Sequence, residues 1–230
     1  MPNGETPKLQ TIAALVPMRH SSERVPGKNY RDLAGRPLYA HIISTLLEVP
    51  EISQVVVDTD SPVILEGLRR DYPTVITLER PAHLRAGTVP MNEILMHDTG
   101  LVPADLYLQT HSTNPLLSAH TLSAALRALL ASYPAHDSLF GVTRVQARLW
   151  DQLTRPINHN PAILLRTQDL PPVYMENSCI YLFTRQTLEQ RRNRIGERPL
   201  MFEISPAESW DIDEESTFQI VETLKRSAVR

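Results

Sequence analysis

Short apolar runs alternate with amphipathic segments along most of the chain. The apolar runs predict strands over residues 11–16, 54–58, 75–78, 105–109, 138–145, 179–183 and 200–204. The segments between them predict helices over residues 38–47, 62–70, 90–97, 118–132, 186–193 and 214–226. Because neighbouring parallel strands require crossover connections, this alternation predicts an α/β fold with a mostly parallel sheet covered by helices on both faces.

One long segment, residues 146–177, interrupts this alternation. It is polar and contains several prolines, yet it also carries large apolar side chains such as Trp150, Leu164 and Tyr174. Loops of this length without structure of their own are uncommon in a compact domain. We therefore predict an ordered arm, in the form of a hairpin that packs on a second subunit of a homodimer.

Composition limits the classes of protein to consider. The chain has 230 residues, of which 42% are hydrophobic. We therefore expect residues 1–230 to form one domain that carries this inserted arm. A net charge of -3 argues against a general nucleic-acid binder. A single cysteine, Cys179, suits a reducing compartment, and no apolar stretch approaches the roughly 20 residues of a membrane helix. We expect a cytoplasmic protein with no nucleic-acid or membrane partner.

Positive charge is concentrated in the loop that follows the first strand. Arg19, Arg24 and Lys28 lie there, where ligands of open parallel sheets bind. Gly27 would let the backbone approach a ligand closely, and a helix beginning near Leu38 would add the field of its N-terminus. These features favour a polyanion such as a triphosphate. The alternative is an ordinary solvated basic loop.

A pair of carboxylates near the end of the chain offers a candidate metal site. Asp211 and Asp213 are two residues apart, so in a strand-like segment both would point the same way. Mg²⁺ binds one or two carboxylates together with phosphate oxygens. Acidic residues just before a helix also cap it and complement its dipole, and from the residues alone this capping interpretation is preferred.

Six segments, taken in order, carry a resemblance to a known family. They are RHSSERVPGKNYRDLAGRPL (19–38), VVVDTDSPVI (55–64), LERPAHLRAGT (78–88), LYLQTHSTNPLL (106–117), QDLPPVYMENSCIYLF (168–183) and SWDIDEES (209–216). Together they resemble motifs of the acylneuraminate cytidylyltransferases, or CMP-sialic acid synthetases, and of the related CMP-Kdo synthetases.

The resemblance implies a fold, a reaction and a set of site residues. It implies a three-layer Rossmann-like fold and a Mg²⁺-dependent enzyme that joins CMP from CTP to a nonulosonic or related sugar acid and releases pyrophosphate. The implied residues are Arg19, Lys28 and Asp213 as catalytic groups, Ser22, Asn29, Arg80, Gln109 and Arg166 as substrate contacts, and Asp211 and Asp213 as metal ligands. For Arg80, a surface ion pair with Glu79 is an equal alternative.

Two departures from the family pattern leave alternatives open. Where relatives often carry a second lysine, this chain has the segment HSSE at residues 20–23. Met175 stands where sialic-acid members have an arginine for the sugar carboxylate, so either Arg166 or Arg155 replaces it, acting in the partner subunit's site, or the sugar is a different one. The alternatives are a nucleotidyltransferase for sugar 1-phosphates, for instance with GTP, and a non-catalytic nucleotide-binding relative.

Overall fold

The computed structural model describes residues 11–228 as strands and helices in alternation. The strands are β1 (Ile12–Met18), β2 (Asp32–Leu33), β3 (Arg36–Pro37), β4 (Gln54–Thr59), β5 (Ile76–Glu79), β6 (Leu106–Gln109), β7 (Ser138–Val145), β8 (Val173–Phe183) and β9 (Pro199–Glu203). The helices are α1 (Leu38–Leu47), α2 (Pro62–Asp71), α3 (Met91–Leu101), α4 (Ala119–Ser132), α5 (Arg185–Arg191) and α6 (Glu215–Ala228).

Three of these helices begin at hydroxyl caps that the sequence places just before an amphipathic run. Ser61 Oγ accepts a hydrogen bond from the Ile64 amide at 3.4 Å, and Pro62 occupies the first helical position of α2. Ser118 and Thr184 cap α4 and α5 in the same way. Each cap satisfies an amide that the helix itself leaves free, which explains why these helices start where they do.

Seven strands form one sheet in the order β5-β4-β1-β6-β8-β7-β9. Every neighbouring pair is parallel except the two pairs that include β8. The predicted mostly parallel α/β sheet is therefore confirmed. The run at Cys179–Phe183 was expected to be a strand, but β8 begins earlier, at Val173, and runs antiparallel. Residues 173–177, which we assigned to the arm, thus belong to the sheet.

Alternate residues of the central strand face two separate cores. Ala14 and Val16 of β1 pack into a cluster with α1, α2 and α4, whereas Ala13 and Leu15 pack into a second cluster with α3 and α5. Helices therefore cover both faces of the sheet, and the fold is three-layered and Rossmann-like. A third cluster joins Val25 of the first loop to α6, and it fixes the C-terminal segment against that loop.

The arm leaves the sheet at the end of the β7–β8 hairpin and is held by its own hydrogen bonds. Gln146 Nε2 donates to the Leu170 carbonyl at 2.6 Å, and the Trp150 and His159 rings meet edge to face with centroids 4.8 Å apart. Leu164 nevertheless leaves 88% of its surface exposed. Packing of the arm on a second subunit stays a prediction. Within residues 11–228 we find no helix that is long and apolar enough to cross a membrane.

Candidate active site

A cavity of about 500 Å³ opens at the carboxyl ends of the parallel strands. The charged side chains that line it are the cations Arg19, Arg24, Lys28, Arg80 and Arg194 and the carboxylates Glu23, Asp211 and Asp213. Five cations against three carboxylates make this lining positive in a chain whose net charge is -3. Its size and charge suit a nucleotide, since ligand sites of open α/β sheets lie at this edge and polyanions need fixed cations.

Most of the residues that the resemblance implied meet in this cavity. Its lining includes Arg19, Ser22, Lys28, Asn29, Arg80, Asp211 and Asp213. Gln109 lies beside the cavity and is fully buried. Arg166 is the exception, because its side chain is 72% exposed on the arm and pairs with Asp169 at 2.7 Å. Within one chain the structure does not bring Arg166 to the cavity.

The first loop is held in shape by Gly27 and Asn29. Gly27 has a φ of 66°, and a Cβ there would lie 2.8 Å from the Tyr30 hydroxyl, so the turn requires glycine. Asn29 Nδ2 donates to the Arg19 carbonyl at 2.7 Å, and the Ser112 hydroxyl donates to Asn29 Oδ1 at 2.8 Å. Asn29 therefore ties the first loop to the segment after β6 and fixes the backbone of Arg19.

The expected contribution from the N-terminus of α1 is not supported. The Leu38 amide, the first of that helix, donates to the Arg31 carbonyl at 2.9 Å. This hydrogen bond closes the small β2–β3 hairpin, which lies between Arg31 and Leu38. The sequence pattern did not predict that hairpin. No residue of the first turn of α1 lines the cavity, whereas Arg19, Arg24 and Lys28 of the loop do.

Asp213 lies between two of the cavity's cations. Lys28 Nζ is 3.2 Å from Asp213 Oδ1 and donates to the Ile212 carbonyl at 2.7 Å. Arg24 Nη2 approaches the same Asp213 oxygen at 2.9 Å. Since the Lys28 side chain is only 13% exposed, this contact holds its ammonium at the cavity wall. The carboxylate balances both cations in the chain without nucleotide.

Asp211 lies deeper and fits a divalent cation. Its Oδ1 atom is buried and has no hydrogen-bond partner among residues 11–228. Burial raises the pKa of Asp211, and the neighbouring Asp213 charge adds to this effect. Two carboxylates beside a phosphate-sized cavity are the hard oxygen ligands that Mg²⁺ prefers. The donor set would therefore suit a magnesium ion, and because Asp213 pairs with cations of another loop, its carboxylate does not serve only to cap α6.

Arg194 is a cavity cation that sequence reasoning missed. Its Nη1 atom donates to Gln109 Oε1, and its guanidinium lies 3.5 Å from the centre of the Tyr181 ring. Stacking and hydrogen bonding fix the orientation of this guanidinium at the end of β6. Arg194 follows α5 in a segment with several other arginines, and no pattern in the sequence distinguishes it from them.

His111, to which the sequence analysis assigns no role, lies in the cavity wall. Burial, followed by the charges of Arg194 and Lys28, lowers its pKa to about 4. The imidazole is therefore neutral at physiological pH. The Gln109 side-chain nitrogen lies 3.1 Å from His111 Nε2, and a neutral ring can accept a hydrogen bond there.

Arg80 is buried rather than exposed, which corrects the surface ion pair considered for it. Its side chain is 1% exposed and its Nε atom donates to Asp58 Oδ1, whereas Glu79 pairs with Arg85. The side chains of Asp58, His97 and Asp98 cluster behind it with their potential ligand atoms within 4.8 Å of one another. A metal ion there would face the Arg80 guanidinium, so we do not assign one to this cluster.

Comparisons with known proteins agree with this geometry. A family model described as cytidylyltransferase matches residues 13–228. The chain is 26% identical over 218 residues to the N-acylneuraminate cytidylyltransferase of Oncorhynchus mykiss, covering 92% of this chain and 49% of that protein. It is 28% identical over 121 residues to the 3-deoxy-manno-octulosonate cytidylyltransferase of Escherichia coli, covering 53% of this chain and 47% of that protein. The chain spans about half the length of these curated relatives.

A solved structure shows the same fold. The CMP:2-keto-3-deoxy-manno-octonic acid synthetase complexed with CTP superposes with a TM-score of 0.70 at 18% identity, covering 95% of this chain and 99% of that one. At this identity the likeness concerns the fold. The family model, however, matches nearly all of the described residues. The chain therefore belongs to the cytidylyltransferase family.

Proposed function

We propose that this chain transfers CMP from CTP to the anomeric hydroxyl of a sugar acid, of the nonulosonic or a related type, and releases pyrophosphate. The observation that carries this proposal is the cavity, where five cations converge in a chain of the cytidylyltransferase family. The names of the relatives, which are cytidylyltransferases of N-acylneuraminate and 3-deoxy-manno-octulosonate, support a sugar acid as the acceptor.

The chain's own residues favour this reaction through position and charge. The sugar hydroxyl oxygen attacks the α-phosphorus of CTP and releases its proton to solvent, the bond from the α-phosphorus to the β-phosphate oxygen breaks, and pyrophosphate leaves with added negative charge. Arg19, Arg24 and Lys28 lie together where they can neutralise that charge. Fixed cations that need not reorganise during the reaction lower the barrier to such transfers.

Asp211 and Asp213 would hold Mg²⁺, which would supply further positive charge to the phosphate oxygens. Asp213 also balances Arg24 and Lys28 before nucleotide binds. We infer that triphosphate oxygens take over these two cations, since they are the stronger anionic partner for both. The cations are thus oriented in the cavity before the nucleotide binds.

Arg194 is the cavity cation best placed to bind the carboxylate of the sugar. It comes from a different segment than the first-loop cations and lies at the end of β6, over Tyr181 of β8 and beside the amide of Gln109. A guanidinium fixed in orientation can bind a carboxylate through two parallel hydrogen bonds. A second contact from Arg166 of a partner's arm stays a prediction.

We also propose that the active form is a homodimer, with the cytoplasm as its expected location. The arm exposes several large apolar side chains that a second copy would cover. Those exposed by more than half are Leu153, Ile157, Ile163 and Leu164, and Met175 of β8 lies beside them in the chain with 54% exposed. Exposed apolar side chains in such number within one segment indicate an interaction surface.

A substrate panel tests the reaction. Pyrophosphate release is measured with CTP, UTP, GTP and ATP, each combined with several sugar acids and with sugar 1-phosphates. We expect release only with CTP and a sugar acid. Release with GTP and a sugar 1-phosphate would favour the other transferase class, and nucleotide binding without release under any combination would favour a non-catalytic relative.

Subunit mixing tests whether the arm completes the neighbouring site. Arg166→Ala and Asp213→Asn chains are each expected to be inactive alone. If Arg166 acts in the partner's site, a mixed dimer contains one site with both residues intact, so random exchange of equal amounts should restore about a quarter of wild-type activity. Full activity of Arg166→Ala alone, no recovery despite proven exchange, or a monomer in solution would contradict the shared site.

A further inference from the structure

Two aspartates lie buried side by side behind the cavity wall. Asp58, near the end of β4, and Asp98, on α3, are each 1% exposed. Their carboxylate oxygens lie within 4.8 Å of each other. Asp58 Oδ1 accepts from Arg80, but neither Asp58 Oδ2 nor either Asp98 oxygen has a hydrogen-bond donor among residues 11–228. Buried carboxylate oxygens without donors are costly, so this arrangement requires a further group.

A shared proton is the group that best fits the surroundings. The charged and titratable groups that face the pair are Arg80, from the segment after β5, and His97, beside Asp98 on α3. His97 is only partly buried and donates to neither carboxylate, so among the fully buried groups two ionised carboxylates would face one guanidinium and leave a net negative charge. A proton removes that charge and also provides the missing donor, because a protonated carboxyl can donate to its neighbour.

Electrostatics agree with this geometry. Burial, and then the Asp58 charge, raise the pKa of Asp98 to about 8, while Arg80 opposes the shift. The pKa of Asp58 is raised by burial as well, but Arg80 lies against this carboxylate and opposes the rise. The proton therefore resides mainly on Asp98 at neutral pH, and Asp58 keeps its charge for Arg80.

We propose that Asp98 is a positioning residue, which shares one proton with Asp58 and thereby fixes the Arg80 guanidinium at the wall of the nucleotide cavity. Arg80 Nε donates to Asp58 Oδ1, and Arg80 Nη2 lies 3.4 Å from the Asp58 carbonyl oxygen. These bonds hold one edge of the guanidinium while the residue still lines the cavity. The effect of this arrangement on CTP binding rests on the proposed function, whereas the shared proton does not depend on it.

The first test asks whether Asp98 carries a proton, and it needs no substrate. It compares the thermal unfolding of wild type and Asp98→Asn from about pH 5 to pH 9. An aspartate whose pKa is raised in the folded state binds more protons folded than unfolded, so its stabilisation is lost as pH rises toward that raised pKa. We expect the melting temperature of wild type, relative to that of Asp98→Asn, to fall as the pH rises to about 8. Above that pH the two melting temperatures should change in parallel. Asp71→Asn, at an exposed aspartate whose pKa Arg70 lowers, should follow wild type throughout this range.

The positioning role is tested next with CTP. Asp98→Leu keeps the number of side-chain heavy atoms and their branch point but cannot donate to Asp58, and we expect its KM for CTP to rise about tenfold with little change in kcat. Asp98→Asn should rescue the wild-type KM, because its amide donates to Asp58 as the protonated carboxyl does. The KM of wild type, but not that of Asp98→Asn, should rise above about pH 8.

Two results would overturn the inference. Parallel stability curves for wild type and Asp98→Asn across the whole pH range would mean that Asp98 carries no proton. Stabilisation of wild type by Mg²⁺ or Mn²⁺ that Asp98→Asn lacks would mean that a metal occupies the cluster instead. If the stability curves diverge as expected but no variant, nor wild type, uses CTP, the proposed function has failed and the shared proton stands.

Discussion

Replacing Lys28 with alanine should lower kcat/KM for pyrophosphate release by about 100-fold or more, while the free energy of unfolding falls by no more than about 2 kcal/mol. The ammonium lies at the cavity wall, held by the Ile212 carbonyl and Asp213. Its charge would act on the leaving pyrophosphate, where one fixed donor contributes several kcal/mol to the transition state. Steady-state kinetics over a range of CTP concentrations, together with urea unfolding, measure the two effects separately.

Arg31→Ala is the matched control from the same loop. Arg31 is also a cation, but it pairs with Glu215 at 2.6 Å and stacks on Phe218 with its guanidinium carbon 4.1 Å from the ring centre. Its loss should reduce stability by about 1 kcal/mol and leave turnover of the folded enzyme near wild type. If Lys28→Ala keeps full activity, or if both variants lose activity equally, the first loop does not act through charge in the cavity.

Asp213→Asn should lower the magnesium-dependent rate by about 100-fold or more. The amide keeps the size of the side chain but loses the charge that a hard cation prefers, and it also weakens the contacts to Arg24 and Lys28. The rate is measured across a titration of MgCl₂. We expect the variant to need far more magnesium and to reach a much lower maximum, with circular dichroism unchanged.

Glu215→Gln separates metal binding from helix capping. Glu215 is the first residue of α6, and its carboxylate pairs with Arg31 outside the cavity lining. If acidic residues here serve only the helix, the two variants should behave alike and lose only stability. An Asp213→Asn enzyme with a normal rate and normal magnesium dependence would restore the capping interpretation.

Sequence pattern alone predicted the order along the chain of the helices and of the strands of the seven-stranded sheet, because amphipathic periods and hydroxyl caps such as Ser61 and Ser118 are local signals. It did not predict the direction of β8. An apolar run such as Cys179–Phe183 looks the same in a parallel and an antiparallel strand. Polar residues lie between Val173 and the apolar run, so the sequence pattern does not indicate that β8 begins at Val173.

Sequence motifs predicted several of the residues that line the cavity, but not those that only the fold brings there. Arg19, Lys28 and Asp213 stand in recognisable segments, and they meet in one cavity as the resemblance implied. Arg194 reaches Gln109 only because the segment after α5 folds back over the end of β6. Asp98 becomes a candidate positioning residue only because the fold places it beside Asp58, which lies on a different element. No spacing rule connects such pairs before the chain folds.

The transfer of the α-phosphate tests the account most directly. The enzyme is incubated with CTP radiolabelled at its α-phosphate, with magnesium and with each of several sugar acids, and the products are separated and identified by mass. The account predicts that the label appears in a CMP-sugar while unlabelled pyrophosphate is released in equal amount. Label that stays in CTP or appears only as free CMP, with every sugar acid tried, would contradict it.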